Sequence, residues 1–284
     1  RCARGSRSSS SRTRAPNAPD ARDTQMMKRS LAAAAAAVLL TLAGCASTGG
    51  TAPEAAPTTS SEPLIVFAAA SLQGAFDELA AEFTHAHPEY QVAPIRYDGS
   101  QALATQIIDG ADVDVIAFAS EASLVPATEA GRADAGAIFA TNTLQIAVSP
   151  GNPRGIDDLA DLSDPSLSVV LCAPEVPCGA ASETLLQNAG VQVTPVSEET
   201  NVTSVVTRIA AGEADAGLVY ATDVTASAGD LEGITPEGAD EVVNRYPIAL
   251  SPSAPSPEAA QAFVDFVLSD EGQAILDEFG FGSP

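Results

Sequence analysis

Short apolar runs alternate with amphipathic stretches along the chain from residue 64 onward. The run 64–70 is continuously apolar, which is typical of a strand buried on both faces. After it, Leu72, Phe76, Leu79 and Phe83 recur at helical spacing. The same patterns predict strands at 64–70, 91–97, 113–118, 143–149, 168–172, 192–196, 216–220 and 243–250. They predict helices from residue 72 to near residue 88 and at 101–108, 121–130, 156–162, 180–189, 202–211, 257–269 and 271–279.

This alternation of strands and helices indicates an open α/β sheet, in which ligands bind beyond the carboxyl ends of the strands. An eight-stranded α/β barrel would need about 250 residues and more evenly spaced units. The residues from 63 onward are enough for one large domain or for two lobes.

The first 62 residues resemble targeting and linker sequences. Residues 1–25 are rich in Arg and Ser and are interpreted as sequence upstream of the true start or as a disordered basic arm. Residues 26–44 have a charged start and an apolar run of about 12 residues, too short to span a bilayer core but typical of a signal peptide. Ala43-Gly44 before Cys45 resembles a bacterial lipobox. Residues 45–62 are predicted to be a flexible tether.

The lipobox predicts that Cys45 is lipidated and becomes the mature N-terminus. Simple secretion, with Cys45 lost or left free, is the alternative. Lipidation would hold an extracytoplasmic protein at the outer face of the cytoplasmic membrane.

The charge of the chain is strongly uneven. The formal net charge of the whole chain is −24, but residues 45–284 hold five arginines, no lysine and 35 acids, which gives −30. Such a surface argues against nucleic acid and against anionic lipid as partners. The sequence has no Gly-x-Ser-x-Gly elbow, no P-loop and no Gly-x-Gly-x-x-Gly, and its two histidines, His85 and His87, precede Pro88 at a helix end. We therefore predict that the protein is not an enzyme.

Four predicted helix starts carry residues suited to an anion. Ser71, Ser100, Cys178 and Val202 each lie at or near the start of a helix. The first turn of a helix offers unpaired N–H groups and the positive end of the helix dipole. Ordinary helix capping is the alternative reading of each serine.

Several segments resemble, in order, the molybdate-binding proteins that supply bacterial ATP-driven importers. They are 67–72 (Phe-Ala-Ala-Ala-Ser-Leu), 99–107 (Gly-Ser-Gln-Ala-Leu-Ala-Thr-Gln-Ile), 176–179 (Val-Pro-Cys-Gly), 201–203, 217–223 (Gly-Leu-Val-Tyr-Ala-Thr-Asp) and 246–249. The resemblance implies a two-lobed α/β fold like that of type II periplasmic binding proteins, with a mixed sheet flanked by helices in each lobe and two crossover strands between the lobes. The first lobe would comprise residues 63–141 plus 245–284, and the second residues 142–244.

The resemblance also implies the ligand and its contacts. Molybdate, and tungstate with it, would be held by Ser71, Ser100, Cys178, Val202 and Tyr220, with no cofactor and no metal-ion ligand. Four features depart from the family: Cys178 replaces a small residue, Asp98 precedes Gly99, Phe118 stands where serine is common, and Ala119-Ser120 replaces the family's Ala-Asp. Donors alone would reject protonated phosphate, and size would reject sulfate. The implied partner is the permease of an ABC importer, and the protein is expected to be a monomer.

Two other function classes remain open. One is the same fold with sulfate or a small organic anion as ligand, and the other is a lipid-anchored hydrolase, for which no base near Ser71 or Ser100 is evident. Cys172 and Cys178 lie six residues apart, and in an exported protein we expect them to form a disulfide; two free thiols are the alternative.

Overall fold

The chain from residue 62 to residue 284 contains two mixed β-sheets, each of five strands, in a computed structural model that describes those residues. The predicted leader, Cys45 and the tether through residue 61 lie outside the described residues. The strands are β1 (Val66–Ala69), β2 (Arg96–Asp98), β3 (Val115–Ala117), β4 (Ala137–Asn142), β5 (Leu144–Val148), β6 (Val169–Cys172), β7 (Ser197–Glu199), β8 (Ala216–Tyr220), β9 (Glu232–Ile234) and β10 (Asn244–Leu250). The α-helices are α1 (Gln73–Ala86), α2 (Ser100–Ile108), α3 (Glu121–Glu129), α4 (Pro177–Ala189), α5 (Val202–Ala210), α6 (Ala221–Ala226), α7 (Pro257–Leu268) and α8 (Asp270–Glu278). Short 3₁₀ turns lie at Ala70–Leu72, Ala160–Ser163 and Ala239–Glu241.

The first lobe is built on the sheet with strand order β2-β1-β3-β10-β4. Strand β1 pairs in parallel with β2 and β3, whereas β10 is antiparallel to β3 and β4. Helices α1, α2, α3 and α7 contact this sheet or its edge, and α8 packs on α1 and α7. The carboxyl ends of β1 and β2 lead directly into the turns that begin α1 and α2.

The second lobe is built on the sheet with strand order β7-β6-β8-β5-β9. Here β6 is parallel to β7 and β8, and β5 is antiparallel to β8 and β9. Helices α4, α5 and α6 contact this sheet. Within residues 62–284 the chain passes between the lobes twice, from β4 to β5 and from β9 to β10. These two crossovers lie side by side, because Asn142 near the end of β4 is paired with Asn244 at the start of β10.

The core of the first lobe is aromatic. Phe76 and Phe83 lie on the buried face of α1 and are fully buried. Phe76 makes edge-to-face contacts with Phe139 of β4 and Phe263 of α7, at centroid distances of 5.6 and 6.2 Å. Such pairs add about 0.5–1.5 kcal/mol each to the burial of their surface. The apolar spacing that predicted α1 is therefore the spacing that joins it to β4 and α7.

Most predicted elements are confirmed, and the strands that were misplaced or not predicted all lie at sheet edges. The strand predicted at 192–196 is wrong, because the strand begins at Ser197, after Pro195, which has no N–H to give to the ladder. The helix predicted at 156–162 is only a 3₁₀ turn at Ala160–Ser163. Strands β4 and β9 and helix α6 were not predicted. Both strands lie at sheet edges, where a continuous apolar run is not required.

Replacing Phe76 by alanine tests the aromatic core. We expect Phe76→Ala to lower the free energy of unfolding by about 3–5 kcal/mol, because it leaves a cavity between α1, β4 and α7. The matched control is Val125→Ala on α3, whose side chain is 48% exposed, with an expected change within about 0.5 kcal/mol. Urea unfolding measures both, and a loss below 1 kcal/mol for Phe76→Ala would contradict this account of the core.

Candidate functional site

A small cavity lies between the lobes at the carboxyl ends of β1, β2, β6 and β8. It is lined by Ala69, Ala70, Ser71, Asp98, Gly99, Ser100 and Ala119 of the first lobe and by Val176, Pro177, Cys178, Asn201, Val202 and Tyr220 of the second. Its volume is about 20 Å³, whereas sites for drug-sized ligands are about 300–1,000 Å³. The cavity therefore suits a compact ion rather than an extended organic ligand. All five residues predicted to contact the ligand lie in its wall.

Four of these five residues lie in the first turns of helices. Ser71 is in the 3₁₀ turn before α1, Ser100 is the first residue of α2, Cys178 is the second residue of α4, and Val202 is the first residue of α5. First-turn N–H groups have no acceptor within their own helix and lie at the positive end of its dipole. Two such helix starts from each lobe therefore surround the cavity with N–H donors.

Tyr220 completes the wall at the end of β8. Its side chain is 1% exposed, and its ring lies edge-on to that of Tyr246 at a centroid distance of 5.9 Å. Burial raises the pKa of Tyr220 well above its ordinary value, and the neighbouring Tyr246 and Asp223 raise it further. The phenol therefore keeps its hydrogen at neutral pH and can donate it.

Asp98 is the only charged side chain among the lining residues. Its Oδ1 accepts hydrogen bonds from the Gly99 N–H at 2.7 Å and from the Asn201 side-chain amide at 3.3 Å. The amide of Asn201 has a fixed orientation, because its oxygen caps α5 by accepting from the Ser204 N–H at 2.9 Å. The contact between Asp98 and Asn201 thus joins the two lobes beside the cavity, and one oxygen of the carboxylate is occupied by donors.

The lobes approach each other closely at Gly99. A Cβ atom on this glycine would lie 2.2 Å from the carbonyl oxygen of Thr200 in the other lobe. Only glycine fits at this position while the lobes are together.

The structure contains the disulfide between Cys172 and Cys178, so the alternative of two free thiols is wrong. The bond joins the end of β6 to the start of α4 across the loop that carries Val176 and Pro177. The next residue, Gly179, has its backbone against the carbonyl of Ala173, where a Cβ would lie 1.8 Å away. The loop and the helix start that face the cavity are therefore held in one tight arrangement.

Phe118 does not face the cavity. It is fully buried in the core of the first lobe beside Phe67 and Leu103, and the next residue, Ala119, provides the cavity wall. The phenylalanine at this position therefore does not fill the cavity.

Three polar residues behind the cavity wall were not predicted from the sequence. They are Asn142, Asn244 and Tyr246, which are 4%, 7% and 0% exposed. The sequence does show asparagine next to apolar strand residues. The role of these asparagines depends on which strands pair, and the sequence does not show that.

A family model described as bacterial extracellular solute-binding protein matches residues 64–282. The chain belongs to this family. The molybdate-binding protein ModA of Mycobacterium tuberculosis (strain H37Rv) is 40% identical over 241 residues, which cover 84% of this chain and 92% of that protein. A sulfate-binding protein of Synechococcus elongatus is 24% identical over 250 residues, covering 74% of this chain and 69% of that protein.

Solved structures of solute-binding proteins share the fold. The periplasmic molybdate-binding protein of Azotobacter vinelandii superposes with a TM-score of 0.67 at 21% identity, covering 78% of this chain and 99% of that one. The sulfate-binding protein SubI of Mycobacterium tuberculosis gives a TM-score of 0.64 at 19% identity, covering 77% and 86%. The predicted two-lobed fold of type II binding proteins is confirmed.

Within residues 62–284 no helix has both the length and the apolar character needed to cross a bilayer. The same range contains no group of three or more His, Cys, Asp or Glu residues placed to hold a metal ion.

The pKa of Asp223 leads to a prediction about stability. This residue accepts the Tyr220 N–H at 2.9 Å, and burial raises its pKa from 3.8 to about 7. Between these two values the folded chain binds a proton that the unfolded chain does not, so the contribution of Asp223 to stability falls as the pH rises through this window. We expect Asp223→Asn to be more stable relative to the unsubstituted protein at pH 8 than at pH 5.

Urea unfolding at both pH values measures this difference. The same substitution at the exposed Asp230 is the matched control for the loss of one carboxylate. An equal effect of Asp223→Asn at pH 5 and pH 8 would contradict the raised pKa.

Proposed function

We propose that this protein captures molybdate between its two lobes and delivers it to the permease of an ABC importer. The observation that carries the proposal is the cavity itself: helix-start N–H groups and hydroxyls from both lobes converge on a space for one compact ion. The similarity to a molybdate-binding protein at 40% identity, over 92% of that protein, supports the same ligand. Ser71, Ser100, Cys178, Val202 and Tyr220 are the proposed contacts.

The chemistry of the cavity favours an anion with no hydrogen of its own. N–H and O–H groups donate to all the oxygens of molybdate, and each hydrogen bond to a charged oxygen contributes about 1.5–3 kcal/mol. Phosphate at neutral pH carries a proton that needs an acceptor. Tungstate has the shape and charge of molybdate, and we propose it as a second ligand.

Sulfate is the main competing ligand, since a sulfate-binding protein is among the relatives at 24% identity. Sulfate is smaller than molybdate and cannot reach donors on opposite walls at the same time, so the molybdate geometry should discriminate against it. A small organic anion is disfavoured by the cavity volume of about 20 Å³. A hydrolase would need a base near Ser71 or Ser100. The lining residues include no histidine, and their one carboxylate, Asp98, accepts from the Gly99 N–H and the Asn201 amide rather than from either serine hydroxyl.

The location and assembly of the protein complete the proposal. We propose that Cys45 is lipidated and holds the protein, as a monomer, at the outer face of the cytoplasmic membrane. The resemblance of residues 43–45 to a lipobox supports this anchoring. Closure of the lobes over the ligand would present one arrangement of both lobes to the permease.

Calorimetric titration with molybdate, tungstate, sulfate and phosphate tests the ligand. We expect one-to-one binding of molybdate and tungstate, with sulfate and phosphate much weaker. Ser71→Ala and Ser100→Ala should each weaken molybdate binding by about 10- to 100-fold, since each removes a hydrogen bond to a charged oxygen. Ser283→Ala, at an exposed position near the C-terminus, is the matched control and should bind as the unsubstituted protein does.

Tighter binding of sulfate than of molybdate would contradict molybdate as the ligand and identify sulfate instead. The absence of heat with all four anions would overturn the oxyanion function.

A methyl group at Gly99 tests the closure of the lobes. In Gly99→Ala the added carbon would meet the Thr200 carbonyl, so the lobes cannot come together as they do in this structure. The backbone angles of Gly99 (φ −58°, ψ 136°) suit alanine, so the first lobe itself is not strained. We expect molybdate to dissociate at least about tenfold faster, with the unfolding temperature without ligand changed by less than about 2 °C. Stopped-flow dissociation and thermal unfolding measure these, and unchanged dissociation would contradict closure at Gly99.

A further inference from the structure

Two buried asparagines face each other where the chain passes between the lobes. Asn142 at the end of β4 is paired with Asn244 at the start of β10. Both residues are buried, with exposed fractions of 4% and 7%. Buried amides need hydrogen-bond partners, and each of these has partners in both lobes. Neither residue lines the cavity.

The orientation of each amide is fixed by a backbone partner. The side-chain oxygen of Asn142 accepts a hydrogen bond from the Thr143 N–H at 3.0 Å, and a backbone N–H can only donate. The side-chain nitrogen of Asn244 donates a hydrogen bond to the Ala119 carbonyl at 3.0 Å, and a carbonyl can only accept. In both residues the NH₂ group, and not the oxygen, is therefore turned towards the neighbouring hydroxyl groups.

Asn244 acts on Tyr220 directly. Its NH₂ group donates to the Tyr220 hydroxyl oxygen at 3.0 Å. A hydroxyl has one hydrogen, and that hydrogen cannot point at a group that is itself a donor. The hydrogen of Tyr220 is therefore turned away from Asn244, and Tyr220 is itself one of the residues that line the cavity.

Asn142 acts on Ser71 through Tyr246. Its NH₂ group donates to the Thr222 hydroxyl at 2.8 Å and lies 3.4 Å from the Tyr246 hydroxyl oxygen. The Tyr246 hydroxyl in turn lies 3.1 Å from Oγ of Ser71. Either hydroxyl can be the donor in this pair. When Tyr246 accepts from Asn142 and donates to Ser71, the hydrogen of Ser71 is left for the cavity.

The third hydroxyl of the cavity is held in the same way. Oγ of Ser100 accepts from the Ala119 N–H at 3.1 Å. Tyr220 and Ser100 thus each accept a hydrogen bond from an N–H group, and Ser71 lies beside the Tyr246 hydroxyl, which can donate.

We propose that Asn244 and Asn142 are positioning residues that fix the hydroxyl groups of Tyr220 and Ser71 as donors, and that selectivity for a fully deprotonated oxyanion depends on them. This inference rests on the proposed function. Without the amides, each hydroxyl could rotate and offer a lone pair, which would accept the hydrogen of phosphate. Because both amides also join the two lobes, the arrangement of the crossover strands and the direction of the donors are set together.

A double-mutant cycle between Asn244 and Tyr220 tests the proposed effect of Asn244 on the Tyr220 hydroxyl. The variants are Asn244→Ala, Tyr220→Phe and the two combined, with Asn188→Ala on the exposed end of α4 as the matched control. We expect Asn244→Ala to weaken molybdate binding about tenfold and to weaken phosphate binding less, so that the molybdate-to-phosphate affinity ratio falls. In the Tyr220→Phe background the same change should weaken molybdate binding by less than about threefold, because the hydroxyl that it orients is gone.

A purely structural role would give a different result. The loss caused by Asn244→Ala would then be equal in both backgrounds and the affinity ratio would not change, and that outcome would overturn the proposal. If the unsubstituted protein does not bind molybdate, the proposed function fails first, and the two failures are thereby distinguished.

A nearly isosteric change covers the case in which Asn244→Ala does not fold. Tyr246→Phe removes the hydroxyl between Asn142 and Ser71 but keeps the buried ring. We expect it to weaken molybdate binding about fivefold in the unsubstituted protein and to have little effect in the Ser71→Ala background. Equal effects in the two backgrounds would overturn the relay through Tyr246.

Discussion

In the proposed site, a strongly acidic chain holds a doubly negative ion without a basic side chain in contact with it. Residues 45–284 carry a formal charge of −30, and the described residues that line the cavity include no arginine or lysine. In the proposed site the attraction comes from dipoles fixed in place: the starts of helices α2, α4 and α5, the turn before α1, and the hydroxyls that we propose to be held as donors. Such dipoles act over a short distance, so their geometry matters more than the total charge of the protein.

That requirement explains why the site lies between two lobes. The available helix starts are divided between two sheets, two in each, and the donors converge only when the lobes come together. Gly99 permits the close approach, the contact between Asp98 and Asn201 joins the lobes beside the cavity, and the disulfide at Cys178 holds one helix start in place. The paired crossover strands β4 and β10 then carry the buried amides that connect the fold to the direction of the donors.

Features of the structure that depend on neighbouring residues could be predicted from the sequence. The start of α2 at Ser100, the apolar face of α1 and the pairing of Cys172 with Cys178 all follow from neighbouring residues. The polar edge strand β7 was misplaced, because its position is set by pairing with β6 and not by its own side chains. The roles of Asn142 and Asn244 could not be predicted, because they arise from the pairing of two strands far apart in the sequence.

The dependence of molybdate affinity on salt tests the central claim most directly. A site made of neutral dipoles inside an acidic protein should bind molybdate equally well or slightly better as sodium chloride is raised from low to high concentration, because salt screens the long-range repulsion and leaves short-range donors unaffected. A site that depends on positive side chains should lose affinity steeply over the same range. Constant or rising affinity is the predicted result, and a steep fall would contradict the account.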